Sequence, residues 1–272
     1  MIRYFVVSDV HSCYYKLRET LDNAGFDLYN NDHVLIVCGD LFDRGDETVQ
    51  LFEFAKELMQ KKRLIYIRGN HEDLLNDCVY EIAISKVPSS HHWHNKTVKT
   101  IADFCGIDEC QYHWLTYDVA SETIEKIKPL QEFIWDNTLN YFETEKFIFT
   151  HGWIPTLDGY ADKFKTASNN EWKEARWTNG MLAWTNKANR IENKTIVCGH
   201  WHCSFGWSKI RQQRKEFPQL NRKEWWTSFE PFVDDGICAI DSCVAYTGFI
   251  NCIVIENEQI IKTVSFTPQQ IV

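Results

Sequence analysis

The chain has 272 residues and a mass of 32.1 kDa, enough for one large domain or two small ones, and its 44% hydrophobic content can fill a real core. Twenty-nine basic residues against 38 acidic ones give a formal charge of −9 and a pI near 5.6, which argues against broad, sequence-independent attraction to nucleic acid or to an anionic membrane. No apolar stretch approaches the roughly 18 residues that a membrane span requires.

Met1 through Val7 run straight into Asp9, with no room for the charged and apolar regions of a signal peptide, so the expected compartment is the cytoplasm. Residues 2–8, 33–38 and 64–67 are β-branched and aromatic runs followed by polar or glycine-bearing residues, the pattern of buried parallel strands. Between them, 16–21 and 49–58 place apolar residues three and four apart, the helical period. The first 85 residues therefore read as alternating strand and helix. From about 85 to 139 the pattern turns helical and aromatic, and His91-His92-Trp93-His94 within it reads as an exposed helical or loop segment. Two strand runs at 139–143 and 146–150 predict a hairpin that delivers His151. Trp172, Trp177 and Trp184 suggest a helix with one apolar face, and 195–199 is a further strand. An irregular, lid-like segment at about 203–235 carries Trp207, Lys209, Arg211, Arg214, Lys215, Trp225 and Trp226, and loops that long are usually functional. Strands at 237–241, 249–255 and 259–265 close what reads as a single α/β domain over 1–272. The ten cysteines sit mostly within or at the ends of strand-like runs and lack close Cys-x2-Cys pairs, so free buried thiols are expected rather than disulfides or a structural zinc site.

Five short motifs each follow a strand-like run: Asp9-Val10-His11, Gly39 through Gly45, Gly69-Asn70-His71-Glu72, His151-Gly152 and Gly199-His200-Trp201-His202. In open α/β sheets the carboxyl ends of strands are where ligands collect. Two divalent ions about 3.5 to 4 Å apart can polarise a phosphoryl group and activate water. Asp9 and His11 can aim at one ion, Asp40 can bridge two, Asn70 adds a neutral oxygen, His151 and His200 add imidazoles for the second ion, and His202 can complete the first. Two ions bring about +4 and the two aspartates return about −2, a balance suited to a phosphate monoester dianion. The oxygen and imidazole donors fit manganese, iron or zinc, with manganese the first expectation.

These motifs make the chain resemble the calcineurin-like metallophosphoesterases, and Gly39-Asp40-Leu41-Phe42-Asp43-Arg44-Gly45, Arg68-Gly69-Asn70-His71-Glu72 and His151-Gly152-Trp153-Ile154-Pro155 resemble the serine/threonine protein phosphatase branch with its bacterial and phage relatives. The resemblance spans 2–255, through Ala239-Ile240-Asp241-Ser242 and the strand after Gly248. It implies a four-layer α/β/β/α sandwich of two mixed sheets, with Asp9, His11 and Asp40 on the first metal and Asp40, Asn70, His151 and His200 on the second. It further implies that His71 is the general acid, oriented by Asp43, and that Arg44 binds phosphate oxygens, with Asn70 also on the substrate side. The chain departs from the branch in Ser8-Asp9-Val10-His11-Ser12, in Trp153 where a second glycine is usual, in having His202, and in lacking an Asn-Asp-Arg-Gly arginine, for which Arg176 is the stand-in.

The function so implied is dimetal-dependent hydrolysis of phosphate monoesters by in-line attack of metal-bound hydroxide, on a phosphorylated protein or a small phosphoester, with no membrane partner. A dinucleoside polyphosphate, phosphodiester or RNA-end hydrolase is the alternative, because lid tryptophans can stack a base and lid cations bind further phosphates. The lid aromatics read first as packing. A non-enzymatic interaction module would normally have lost ligands, whereas here every expected position is filled.

Overall fold

The computed structural model describes residues 1–84, 86–156, 161–212 and 228–265. Strands β1 (Arg3–Val7), β2 (His33–Cys38) and β3 (Leu64–Ile67) pair in parallel, with helices α1 (Tyr14–Ala24) and α2 (Thr48–Gln60) as the crossovers and α3 (Asn70–Ala83) following β3. The side-chain period of two explains why β2 reads as continuously apolar. Leu35 and Val37 face the helices while Ile36 and Cys38 face the second sheet, so both sides of the strand are buried.

The next stretch is helical, as its pattern predicts: α4 (Ser90–His94), α5 (Thr97–Cys105) and α6 (Tyr117–Asn137) pack into the same apolar layer as α1, α2 and α3. His92 corrects the expectation of an exposed histidine cluster. Its ring is fully buried beside the Glu81 carboxylate at 3.8 Å, while Trp93 stacks on His113 with centroids 4.0 Å apart.

The expected 139–143 strand divides between sheets. β4 (Thr138–Leu139) joins β3 in parallel, fixed by Arg68 N donating to Leu139 O at 2.8 Å, and only β5 (Phe142–Glu143) forms the hairpin with β6 (Phe147–Phe149). The tryptophan-rich helix is likewise two helices, α7 (Asn169–Arg176) and α8 (Gly180–Thr185), because the Asn179 side chain caps the second and breaks the run. Trp172 and Trp184 are buried, but Trp177 falls at the break and is 49% exposed. The remaining strands are β7 (Thr195–Cys198), β8 (Phe232–Asp234), β9 (Ile237–Ala239), β10 (Cys252–Glu256) and β11 (Gln259–Val264).

The sheets run β11-β10-β1-β2-β3-β4 and β5-β6-β7-β9-β8, and both are mixed. Val6, Ile36, Ile67 and Ile253 meet Phe147, Phe149, Val197 and Cys238 between them, and α7 and α8 cover the outer face of the second sheet. This is the α/β/β/α sandwich. The lid-like segment starts as a helical turn and a π-turn over 203–210, where Trp207 donates to Glu230 O at 2.9 Å and packs on Phe232. Lys209 and Arg211 are exposed, Arg211 pairing with Asp234, while Arg214, Lys215, Trp225 and Trp226 lie outside the described residues. All ten cysteines are free thiols. Among the described residues no helix is long and apolar enough to cross a membrane.

Candidate metal centre and active site

β1, β2, β3, β6 and β7 are mutually parallel within their sheets and end at the motif residues, which brings Asp9, Asp40, Asn70, His151 and His200 to one edge of the sandwich. The turns there are unusual. Asp9, His11, Asp40, Asp43, Arg44 and His200 all have positive φ, between 50° and 72°, a conformation that costs a non-glycine residue about 1–3 kcal/mol and that clusters at functional sites. The glycines beside them are required by close approach. At Gly39 (φ +81°) a Cβ would run into the His151 ring, and at Gly69 it would collide with the Asp40 carboxylate.

Glu72 holds these turns together. Its buried carboxylate accepts from Gly69 N (2.7 Å), Asp40 N (3.0 Å), Leu41 N (2.9 Å) and the Tyr66 hydroxyl (2.7 Å), tying the end of β2 to the end of β3. In sequence Glu72 stands within the Gly69-Asn70-His71-Glu72 motif with no expected role. The available signal was its place at the third position of α3, where an acid reaches back to the helix start.

Among the described residues two groups of donor atoms lie within 4.8 Å of one another in each group: His11, Asp40 and His71, and Asp40, His151 and His200. Asp40 belongs to both. Two of the flanking imidazoles are fixed by backbone carbonyls, with His11 Nδ1 donating to Phe42 O (3.1 Å) and His151 Nδ1 to Cys38 O (2.8 Å). Such partners set the tautomer and leave the other nitrogen free for a ligand. His151 Nε2 stands 2.8 Å from Asn70 Oδ1 and 3.3 Å from Asp40 Oδ1. Asp9 Oδ2 accepts from Ser8 Oγ and from His200 N (2.9 Å).

The electrostatics favour a cation at this point. Burial works against ionising Asp40, yet His151, His71 and His11 hold its carboxyl well below the usual carboxylate range. Burial likewise opposes charge on His151, but Asp40 and Asp9 outweigh it and raise the imidazole to about 10. His200 is pushed down to about 3 by burial and by His151, and His11 falls well below its ordinary value through burial, His71 and Arg44. His11 and His200 are thus held neutral, the state in which imidazoles bind divalent metals, whereas His151 keeps a proton beside Asp40 that an ion bound there would displace. The donor set therefore fits the ions that the motif pattern suggests.

His71 is bound differently from the other imidazoles. Its Nδ1 donates to Asp43 Oδ2 at 2.7 Å, the same oxygen that accepts from Thr97 Oγ1 at 2.8 Å, and its backbone N donates to Asp40 Oδ1 at 3.0 Å. Burial lowers its affinity for a proton, but Asp40 and Asp43 outweigh that and the pKa is raised. Nε2 faces the cluster, 3.9 Å from Asp40 Oδ2 and 3.2 Å from Arg44 Nη2. The exposed Arg44 thus stands over the same opening.

Asp9, expected on the first ion, falls in neither donor group, its carboxylate being engaged by Ser8 Oγ and His200 N, and two further expected participants lie apart. His202 is in neither donor group; it is partly exposed, with Nε2 3.9 Å from Asp241 Oδ2. Arg176 does not offer its guanidinium to the cluster: it is buried, with Nη1 on Asp73 Oδ2 (2.8 Å) and Nη2 on Asn140 Oδ1 (2.7 Å), beside a cleft of about 310 Å³ shared with Arg68, Trp135 and Lys173. A buried carboxylate with a guanidinium in reach captures it, which local sequence does not reveal.

Residues 2–204 match the family model of the calcineurin-like phosphoesterases. Over 160 residues the chain is 27% identical to a bis(5'-nucleosyl)-tetraphosphatase PrpE (asymmetrical) of Halalkalibacterium halodurans, covering 56% of this chain and 58% of that protein. Over 66 residues it is 41% identical to a symmetrical bis(5'-nucleosyl)-tetraphosphatase of Aeromonas hydrophila, covering 24% of this chain and 23% of the other. The matched stretches thus span less than two thirds of these relatives. A protein serine/threonine phosphatase structure from Saccharomyces cerevisiae superposes with a TM-score of 0.52 at 13% identity, over 98% of this chain and 80% of that one. At that identity the likeness speaks for the fold.

Proposed function

This chain belongs to the calcineurin-like phosphoesterase family, and on that premise we propose that it hydrolyses phosphate monoesters at the Asp40-centred site, with two divalent ions, manganese foremost, as cofactors. The observation that carries this reading is the His71–Asp43 pair, at 2.7 Å, with Nε2 turned to the donor cluster. An alkoxide leaving group is strongly basic and needs a proton in the transition state, and an imidazole held by a carboxylate supplies one.

Asp9, His11, Asp40, Asn70, His151 and His200 would hold the ions, which when bound supply Lewis-acid polarisation of the phosphoryl group and an activated water. Arg44 presents a planar fork of donors to the equatorial phosphate oxygens. Asn70 would serve both an ion and the substrate. Asp43 accepts the proton on Nδ1 and so orients the His71 ring, leaving the second proton of the imidazolium on Nε2 to be given up, and Thr97 fixes Asp43. The substrate is a phosphorylated protein, on serine or threonine, or a small phosphoester. Arg176 would have to leave Asp73 to serve phosphate, and His202 would have to turn from Asp241 to reach an ion. The helical stretch of about 85–139 and the segment of about 203–235 are the parts of this single domain that shape substrate choice, since loops on a rigid scaffold carry specificity. Ten free thiols support a reducing compartment such as the cytoplasm.

A second reading, hydrolysis of a dinucleoside polyphosphate, is favoured by the names of the sequence relatives. The two differ in their need for the acid, because a phosphate leaving group departs without a proton. With full metal occupancy, His71→Ala should lower kcat on an alkyl phosphate about 10²- to 10⁴-fold and act far less on diadenosine tetraphosphate. Unchanged turnover of the alkyl phosphate would defeat the monoester reading. A wild-type preference for the dinucleotide would select the second.

A further inference from the structure

The opening beside His200 carries two large apolar side chains that the fold leaves in water. Trp201 follows His200 directly, and Trp177 sits at the end of α7. Both indoles meet that imidazole edge-on, with centroids 5.7 Å and 6.4 Å away and ring planes crossing at 87° and 75°. They are 49% and 42% exposed, whereas Trp153, Trp172 and Trp184 in the same half of the molecule are nearly or fully buried. Phe205 supports Trp201 from behind at 5.5 Å. His200 is itself one of the donors grouped around Asp40. A phosphoryl group held by that cluster therefore has both rings within reach of whatever the phosphate is attached to.

From this juxtaposition we propose that Trp177 and Trp201 form a stacking subsite for a nucleobase, which makes the substrate a nucleoside phosphate. The proposal rests on the phosphoester hydrolase reading and specifies its substrate class. Exposed indole faces bind bases through stacking, with little demand on hydrogen-bonding pattern. They offer nothing comparable to a short aliphatic phosphoester. Trp207, which the sequence marks as a base-stacking candidate, is instead engaged with Glu230 and Phe232.

The test compares adenosine 5'-monophosphate with ribose 5-phosphate, two monoesters with the same leaving alkoxide that differ in the base. The manganese-loaded wild type should favour the nucleotide in kcat/KM by about 10- to 100-fold, the range that one stacked base gives, and mainly through KM. Combining Trp177→Ala with Trp201→Ala should bring the ratio to within about threefold of unity, the double phenylalanine variant should retain most of the preference, and Trp135→Ala, on an exposed ring elsewhere, should leave it unchanged. A wild-type ratio near one would overturn the proposal while leaving the hydrolase reading intact. Absence of turnover on every ester would instead sink the hydrolase reading. Intrinsic fluorescence judges the subsite independently of turnover: in the His71→Asn background the nucleotide should quench tryptophan emission and ribose 5-phosphate should not, the effect disappearing in the double alanine variant. Equal quenching by both, or by neither, would overturn it.

Discussion

At the scale of single residues, the chemistry turns on which of two opposed effects wins at His71. Burial disfavours its protonated form, and two carboxylates reverse that. A group with a raised pKa keeps its proton to higher pH, and an acid catalyst loses activity as pH rises through that pKa. Asp43→Asn removes one carboxylate, so the alkaline limb of the pH–rate profile for an alkyl phosphate should move to lower pH and kcat should fall about 10- to 100-fold; an unmoved limb would contradict the pairing. Arg176 shows the opposite balance, a cation committed to a buried partner. Arg176→Ala leaves Asp73 only the longer Arg68 contact at 3.9 Å and should cost about 1–3 kcal/mol of stability in denaturant titration, and a stable variant with an impaired KM would return Arg176 to phosphate binding. The donors of the cluster were legible from types and order alone. The pairing of His71 with Asp43 was expected only through resemblance. Thr97 was not legible at all, because it comes from α5, 54 positions away from Asp43, and nothing in its neighbourhood marks it.

At the scale of elements, β-branched runs and helical periods located the parallel strands and the first helices because both faces of those strands are covered by apolar layers. Where an element depends on a partner far away in sequence the reading faltered. The 139–143 run looks like one strand, and pairing with β3 on one side and β6 on the other splits it. Trp177 looks like part of an apolar helical face until the Asn179 cap ends the helix before it. The strained turns after the strands depend on the same long-range fixation. Glu72→Ala would leave three buried backbone N–H groups without their acceptor, at about 1–3 kcal/mol each, so thermal denaturation should show a heavy loss of stability together with weaker metal retention. A wild-type melting curve would mean that the turns hold themselves.

At the scale of the whole molecule, the sandwich brings five strand ends, spread over almost 200 residues of sequence, to one edge. The helical layer adds a contribution through Thr97, which ties α5 to the Asp43–His71 pair. Thr97→Val should leave the fold intact and lower kcat on alkyl phosphates by about 3- to 10-fold, read in steady-state kinetics, whereas no change would make the helical layer a bystander to the chemistry. The central claim is that one carboxylate, Asp40, joins both donor groups into a single dinuclear centre. Metal content per chain, measured by elemental analysis after manganese loading for the wild type and for Asp40→Asn, tests it most directly. Two ions in the wild type and one or none in the variant, with loss of turnover, is the predicted result; a variant that keeps both ions and its activity would contradict the account.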